Sequence, residues 1–337
     1  MKLRKWLTYC GVFVVIFSLS ALVYFSIVFQ NGVDSIAAEW SRAQPNPIGD
    51  FGSTKTLSIL PLVNWHTRDN SLQGEAGVSY LIKTDHNTLL FDVGFNKGGN
   101  SPSPLEHNMA QLGIEIESID TIFLSHAHLD HRGGQQWVNK NTFSIGKEQI
   151  DLSDKKIYSP IPTEYPNAQV TVTPKATIIA EGMASLGAIP RQLAIGRIEE
   201  QALVIHVEGK GNVIIVGCGH QTVPKILAHS AKVFNAPLYG LVGDLHYPLP
   251  EGRLSLLGIN LQRRFASGDG PHKPITLATM ERDLDLLTKQ NLGAIALGGH
   301  DTSDQVIERF NLRFGDKYHH VRVGEWIDIV PPSPSQK

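Results

Sequence analysis

The run Ser125-His126-Ala127-His128-Leu129-Asp130-His131 concentrates imidazole and carboxylate donors on one short stretch, closed by Arg132-Gly133-Gly134. It follows the apolar Thr121-Ile122-Phe123-Leu124, which predicts a short buried strand. On an extended backbone His126 and His128, two apart, point to the same side. Asp130 and His131 follow as the chain turns at the glycines and can face a second ion. Four donors on one loop exceed what a single ion needs. A mixed imidazole and carboxylate set suits Zn²⁺, Fe or Mn²⁺ rather than Ca²⁺. The plainer alternative is a cluster of surface histidines, in a chain that has 14 of them.

The same event recurs along the chain: an apolar strand, then small residues, then an Asp or His. It happens at Asp92, His220, Asp244 and His300. Donors gather at strand ends because the backbone there is rigid and the side chains are free to converge. Flanking glycines let backbone approach an ion without side-chain bulk. Two carboxylates and several imidazoles would so meet on one rim, the arrangement of a two-metal site. Each residue also has a structural reading. Asp92 and Asp244 can be turn formers, and His220 and His300 can be satisfied buried histidines. Cys218 reads as a small buried filler, since no base or positive partner is evident. His246 is either a substrate contact and proton donor or structural. His66, His107, His319 and His320 stay unassigned.

Positioning such donors takes a sheet-rich scaffold. Strands are expected at residues 57–60, 78–83 and 88–91, and at 121–124 ahead of the donor loop. A helix over 104–112 aligns Leu105, Met109 and Leu112 and stops at Gly113. Weaker strand patterns lie around 156–158, 170–172 and 177–179. Residues 202–207 and 212–216 form a strand pair across Gly209-Lys210-Gly211. A helix over 223–234 carries Pro224 in its first turn. Then come a strand at 238–242, a loop-rich stretch to Pro274, a helix over 277–290 and a strand at 294–297. A helix from Thr302 or Ser303 and a strand over 321–330 close the chain.

At 337 residues, 42% hydrophobic and 18% charged, the chain can bury a sizeable core, and wholesale disorder is excluded. A net charge of −2 provides no basic excess, which argues against a nucleic-acid partner. Two cysteines, Cys10 and Cys218, offer no disulfide framework.

Lys2, Arg4 and Lys5 precede an uncharged stretch from Trp6 to Phe29 that is long enough to span a bilayer. The positive flank predicts a single-pass signal anchor in the cell membrane, N-terminus in the cytoplasm and the rest extracytoplasmic. A cleaved signal peptide is the alternative. The expected organisation is an anchor over 1–29, a linker over 30–55, a catalytic domain over 56–330 and a disordered tail over 331–337.

With its H-x-H-x-D-H run, a later His, a later Asp and a final His, the chain resembles the metallo-β-lactamase-fold hydrolases over residues 56–330. That resemblance implies a four-layer αββα sandwich, here preceded by one transmembrane helix. It also implies that His126, His128 and His220 hold one metal, that Asp130, His131 and His300 hold a second, and that Asp244 bridges them. Asp92 would orient the donor loop. A narrower resemblance runs through 77–82, 105–108, 200–203, 217–220 and 299–302 to the branch named for dihydropterin ribofuranosylaminobenzene-phosphate synthase. That branch usually has Cys-Ser-His where this chain has Cys218-Gly219-His220, and commonly lacks the bridging Asp.

The function expected is a membrane-anchored dinuclear hydrolase of an ester, lactone or phosphoester, using a metal-bridging hydroxide. Two divalent ions are implied, Zn first, with Mn or Fe in its place. Asp130 and His246 are the catalytic candidates, the latter as donor to the leaving group. The partner is a small-molecule substrate, anionic if Arg253, Arg263, Arg264, His272 and Lys273 face it. Oligomeric state is left open. The alternatives are an iron-containing oxidoreductase of the same fold and a non-catalytic metal-stabilised binding domain.

Overall fold

Leu57–Val63 shows no alternation, because every one of its residues is buried, the pattern of a strand covered on both faces. It lies inside a seven-stranded mixed sheet in the order Ile327–Val330, Leu57–Val63, Ser79–Thr84, Thr88–Phe91, Thr121–Phe123, Lys156–Ser159, Val170–Val172. Pro61 sits where the pairing with Ser79–Thr84 shifts register, the kind of break at which a strand tolerates a residue without an N–H. A second seven-stranded sheet runs Tyr318–His320, Ala294–Leu297, Leu238–Gly243, Gly211–Val216, Leu203–Val207, Met183–Ser185, Thr177–Ala180. The structure, a computed structural model, describes residues 2–43, 46–270 and 272–331.

The facing sides of the two sheets share one core, with Ile59, Phe91 and Phe123 meeting Leu203, Ile215 and Val242. The outer face of the first sheet is covered by Pro104–Leu112 through Leu105 and Met109. That helix starts at a capping box between Ser103 and Glu106 and ends at Gly113 with φ 66°. The second sheet is covered by Val223–Val233, Leu277–Lys289 and Asp304–Phe314. The result is a four-layer αββα sandwich.

The strands that precede the candidate donors run parallel: Thr88–Phe91 with Thr121–Phe123, and Gly211–Val216 with Leu238–Gly243 and Ala294–Leu297. Their C-terminal ends therefore share an edge in each sheet. The exit at Gly217 passes so close to the donor loop that a Cβ there would strike Oγ of Ser125.

Three expectations need correction. The single closing strand over 321–330 is two strands: Tyr318–His320 pairs with Ala294–Leu297, and Ile327–Val330 pairs with Leu57–Val63 in the other sheet. Val321 and Val323 fill the core where the chain crosses between sheets, which mimics a strand pattern, and Gly324 turns at φ 83° against Leu72. The 135–200 stretch holds further strands, including the hairpin Ile189–Leu193 with Gly196–Glu200. Most consequentially, residues 30–55 are not a tether. One helix runs over Lys2–Arg42 and buries Phe29 and Ile36. Trp40, Ile48 and Phe51 then pack on the second sheet's outer core, and Thr54 bridges to Val207. The polar residues of this stretch are simply the outer face of a docked segment. Gln44 and Pro45, at the centre of the expected linker, and 332–337 of the expected tail lie outside the described residues.

From Tyr9 the helix is long and apolar enough to cross a membrane. Phe13, Phe17, Leu22 and Tyr24 are exposed around it.

Candidate metal centre

Asp92, at the end of Thr88–Phe91, takes φ 55° and aims its carboxylate into the neighbouring loop. Oδ1 accepts from the Ser125 N–H at 2.7 Å, while Oδ2 accepts from Ser125 Oγ at 2.6 Å and lies 2.7 Å from His131 Nδ1. Held this way, His131 turns Nε2 inward. Beneath the loop the buried Arg132 donates to His126 O, Thr163 Oγ1 and Ser159 Oγ, each at 3.0 Å.

The donors converge in overlapping groups. His126, His128 and His220 bring one nitrogen each within 4.8 Å of one another. Nε2 of His126 and Nδ1 of His220 have no hydrogen-bond partner among the described residues, and His220 Nε2 faces His128 Nδ1 at 3.1 Å. Asp130, His131, Cys218 and His300 form a second group, with Cys218 Sγ 3.0 Å from His131 Nε2 and 3.2 Å from His300 Nε2. Cys218, His220, His246 and Asp301 form a third that joins the first two.

The electrostatics divide along the same line. Burial, then the neighbouring imidazoles, holds His126 and His220 well below the usual histidine range, and burial lowers His128 to about 4. These rings are neutral at pH 7, the form that ligates a metal. At His131 burial opposes protonation, but Asp92 and Asp130 outweigh it and raise the pKa. At His300, Asp301 and Asp244 outweigh burial in the same sense. Burial, then Asp301 and Asp130, pushes the Cys218 thiol well up. A buried cluster of imidazoles with unpartnered nitrogens is costly unless a cation takes the lone pairs. The residues present fit divalent cations.

Asp244 requires a correction. Its Oδ2 lies 2.6 Å from His300 Nδ1 and its Oδ1 accepts from Thr302 Oγ1 at 2.5 Å. It stands behind His300, outside the three donor groups, and not at a bridging position. The inner carboxylate is Asp301, whose Oδ2 lies 2.9 Å from His300 Nε2 and 2.8 Å from His246 Nδ1. His246, at φ 55°, keeps an Nε2 with no hydrogen-bond partner among the described residues.

Sequence reasoning passed over Asp301 and Glu200 and read Cys218 as a buried filler, whereas its Sγ stands among the donors. Glu200 is buried, and its carboxylate accepts the N–H groups of Cys218, Gly219 and His220 at 2.9, 2.9 and 2.7 Å. Burial raises it to about 7 against the pull of those donors. The usable signal was adjacency: Asp301 follows His300, and Cys218 sits two residues before His220.

A pocket of about 190 Å³ opens beside the centre, with Arg191, His220, His246, Asp269 and Lys273 in its wall. The loop-rich stretch after Tyr247 closes over it. Arg253 Nε donates to Gly299 O at 2.7 Å, and Gln262 Nε2 to Asp301 Oδ1 at 2.8 Å.

Residues 72–300 match the family model described as the metallo-beta-lactamase superfamily. The chain is 23% identical over 242 residues to 7,8-dihydropterin-6-methyl-4-(beta-D-ribofuranosyl)-aminobenzene-5'-phosphate synthase of Methanocaldococcus jannaschii, covering 58% of this chain and 80% of that protein. Among solved structures it resembles a metal-dependent hydrolase of the beta-lactamase superfamily, with TM-score 0.55 and 18% identity, covering 80% of this chain and 98% of that one. The metallo-beta-lactamase fold protein YhfI from Bacillus subtilis aligns with TM-score 0.49 and 14% identity, over 81% and 99% of the two chains.

Proposed function

The chain belongs to the metallo-beta-lactamase superfamily, and we propose that it is a membrane-anchored, dinuclear metal-dependent hydrolase of an ester, lactone or phosphoester. The observation that carries this reading is the convergence of largely buried His, Asp and Cys donors, delivered from strand ends of both sheets, beside a pocket that His220 and His246 help to line.

In this reading His126, His128 and His220 would hold one ion. Asp130, His131 and His300 would hold the other, with Cys218 and Asp301 as further donors within reach. When bound, two divalent cations, Zn²⁺ first and Mn²⁺ or Fe in its place, supply Lewis acidity and acidify water toward neutral pH. Asp130 orients the nucleophile through its carboxylate. His246, pinned at Nδ1 by Asp301, hands a proton from Nε2 to the leaving group. Asp92 and Asp244 fix the rings of His131 and His300 from behind. Arg191 and Lys273 in the pocket wall favour an anionic small-molecule substrate. The helix from Trp6 to Phe29 anchors the enzyme with Lys2, Arg4 and Lys5 in the cytoplasm and the domain outside.

The test is turnover of generic lactone, ester and phosphodiester substrates by the purified full chain loaded with Zn²⁺, Mn²⁺ or Fe²⁺. Activity should fall at least about a hundredfold in both His128→Ala and Asp130→Ala. Activity unchanged by both substitutions removes the hydrolase reading. A C-terminal reporter active only in the cytoplasm would reverse the topology.

A further inference from the structure

Residues 251–270 and 272–274 present two unlike faces. Inward they are polar and tied to the centre. Besides Arg253 on Gly299 and Gln262 on Asp301, the Gly268 carbonyl accepts from Arg191 Nη2 at 2.5 Å, and Arg191 Nη1 reaches His220 O at 2.9 Å. Outward, Ser255–Leu256 and Ile259–Asn260 form a small hairpin on which Leu254, Leu256, Leu257 and Ile259 are all exposed, Leu257 at 94%. Leucine at φ 50° on the tip does not follow the turn chemistry of a hairpin meant for water. A contiguous exposed apolar patch of this kind marks a surface with a partner.

The partner follows from what the segment adjoins. Phe25 and Phe29 of the N-terminal helix line one small cavity together with Asp269, Gly270 and Lys273, residues of which Asp269 and Lys273 also line the pocket of the candidate centre. At this level the helix changes character, from the exposed apolar Tyr24, Ile27 and Val28 to the buried Phe29 and Ile36. The Ala194 N–H donates to Phe265 O at 3.1 Å, which brings a second exposed apolar tip, Ile195, beside the insert. With Arg253 turned inward onto Asp304 at 2.6 Å and Asp269 lying 3.9 Å from Arg191, the insert still carries Arg263, Arg264 and Lys273 against Glu251 and Asp269, a basic balance suited to anionic headgroups.

We infer that residues 251–274 are an interfacial lid: the leucine hairpin beds into the bilayer that holds the helix, and the pocket behind it opens at the headgroup layer. The inference rests on the reading of Trp6–Phe29 as a membrane anchor. The occupant of the apolar face is the anionic lipid surface of that same membrane, continuous with the surface around the helix.

The experiment uses the full chain carrying Cys10→Ser, since Cys218 is buried. A single environment-sensitive fluorophore is placed at Leu257→Cys or, as a control within the helix, at Phe17→Cys. The protein is reconstituted in vesicles of phosphatidylcholine and phosphatidylglycerol. The expected result is a blue-shifted emission at Leu257→Cys, quenched by doxyl-bearing lipids as at Phe17→Cys. Adding Leu254→Ser and Leu256→Ser should return it to the emission seen in water. Quenching at Phe17→Cys with water-like emission at Leu257→Cys overturns the lid and leaves the anchor standing. Quenching at neither position removes the anchor, and the lid with it.

Discussion

Oδ2 of Asp244 lies 2.6 Å from Nδ1 of His300, so this carboxylate grips the back of a ring whose front faces the donor cluster. A bridging ligand and a ring-orienting one respond differently to loss of charge. Asp244→Asn should weaken the second ion by roughly 10–100-fold while leaving the first in place. Chelator competition on the zinc-loaded protein reads this directly. Asp301→Ala, by contrast, removes the inner carboxylate, and the bound metal should fall toward one ion per chain. If Asp244→Asn were the variant that dropped to one ion, Asp244 would be a ligand after all.

Cys218 Sγ sits between the Nε2 atoms of His131 and His300. In the absence of a cation its thiol is pushed well up by burial, whereas coordination deprotonates a thiol outright. The Co²⁺-substituted protein should therefore show a thiolate-to-cobalt band in the near ultraviolet. Cys218→Ser should abolish that band, and His126→Ala should keep it. No band in the parent protein would make Cys218 a spacer.

Arg132 is a buried cation with three neutral hydrogen-bond acceptors, and burial lowers its pKa to about 10. Its role is to clamp the donor loop to the strand Lys156–Ser159 and the turn at Thr163. Lysine cannot reproduce the fork. Arg132→Lys should cost roughly 2–4 kcal/mol in urea denaturation of the apo protein. A loss within experimental scatter of zero would show that the loop holds its shape without the clamp.

The sandwich and the donor loop were legible because both are written locally. Apolar runs ending in small residues and then His or Asp mark parallel strand ends, and His126, His128, His131, His220 and His300 all follow such runs. What sequence could not give was which side of a ring each carboxylate occupies. Asp244 and Asp301 both flank His300, and only the backbone path decides that the first stands behind it and the second in front. Cys218 was legible in type but not in direction, because its neighbours come from two other strands. The N-terminal boundary failed for a different reason: an apolar helix that leaves a membrane and an apolar helix that docks on a domain share one periodicity, so Phe29, Ile36 and Trp40 read as anchor and tether.

That boundary yields the last test. The Ile48 N–H donates to Val233 O at 3.0 Å, the Phe51 ring lies 5.5 Å from that of Phe234, and Arg197 pairs with Glu39 at 2.9 Å. Together with Trp40 these residues cover Val204, Ile226 and Phe234 on the outer face of the second sheet. A chain beginning at Gln30 loses the exposed apolar half of the helix and keeps this cover, so it should be soluble and fold. A chain beginning at Thr56 uncovers the patch and should lose roughly 2–4 kcal/mol of stability, with aggregation on heating. Thermal midpoints of the two measure the difference directly. Equal midpoints would mean that residues 30–55 lie on the domain without stabilising it, and that the docked helix contributes position alone.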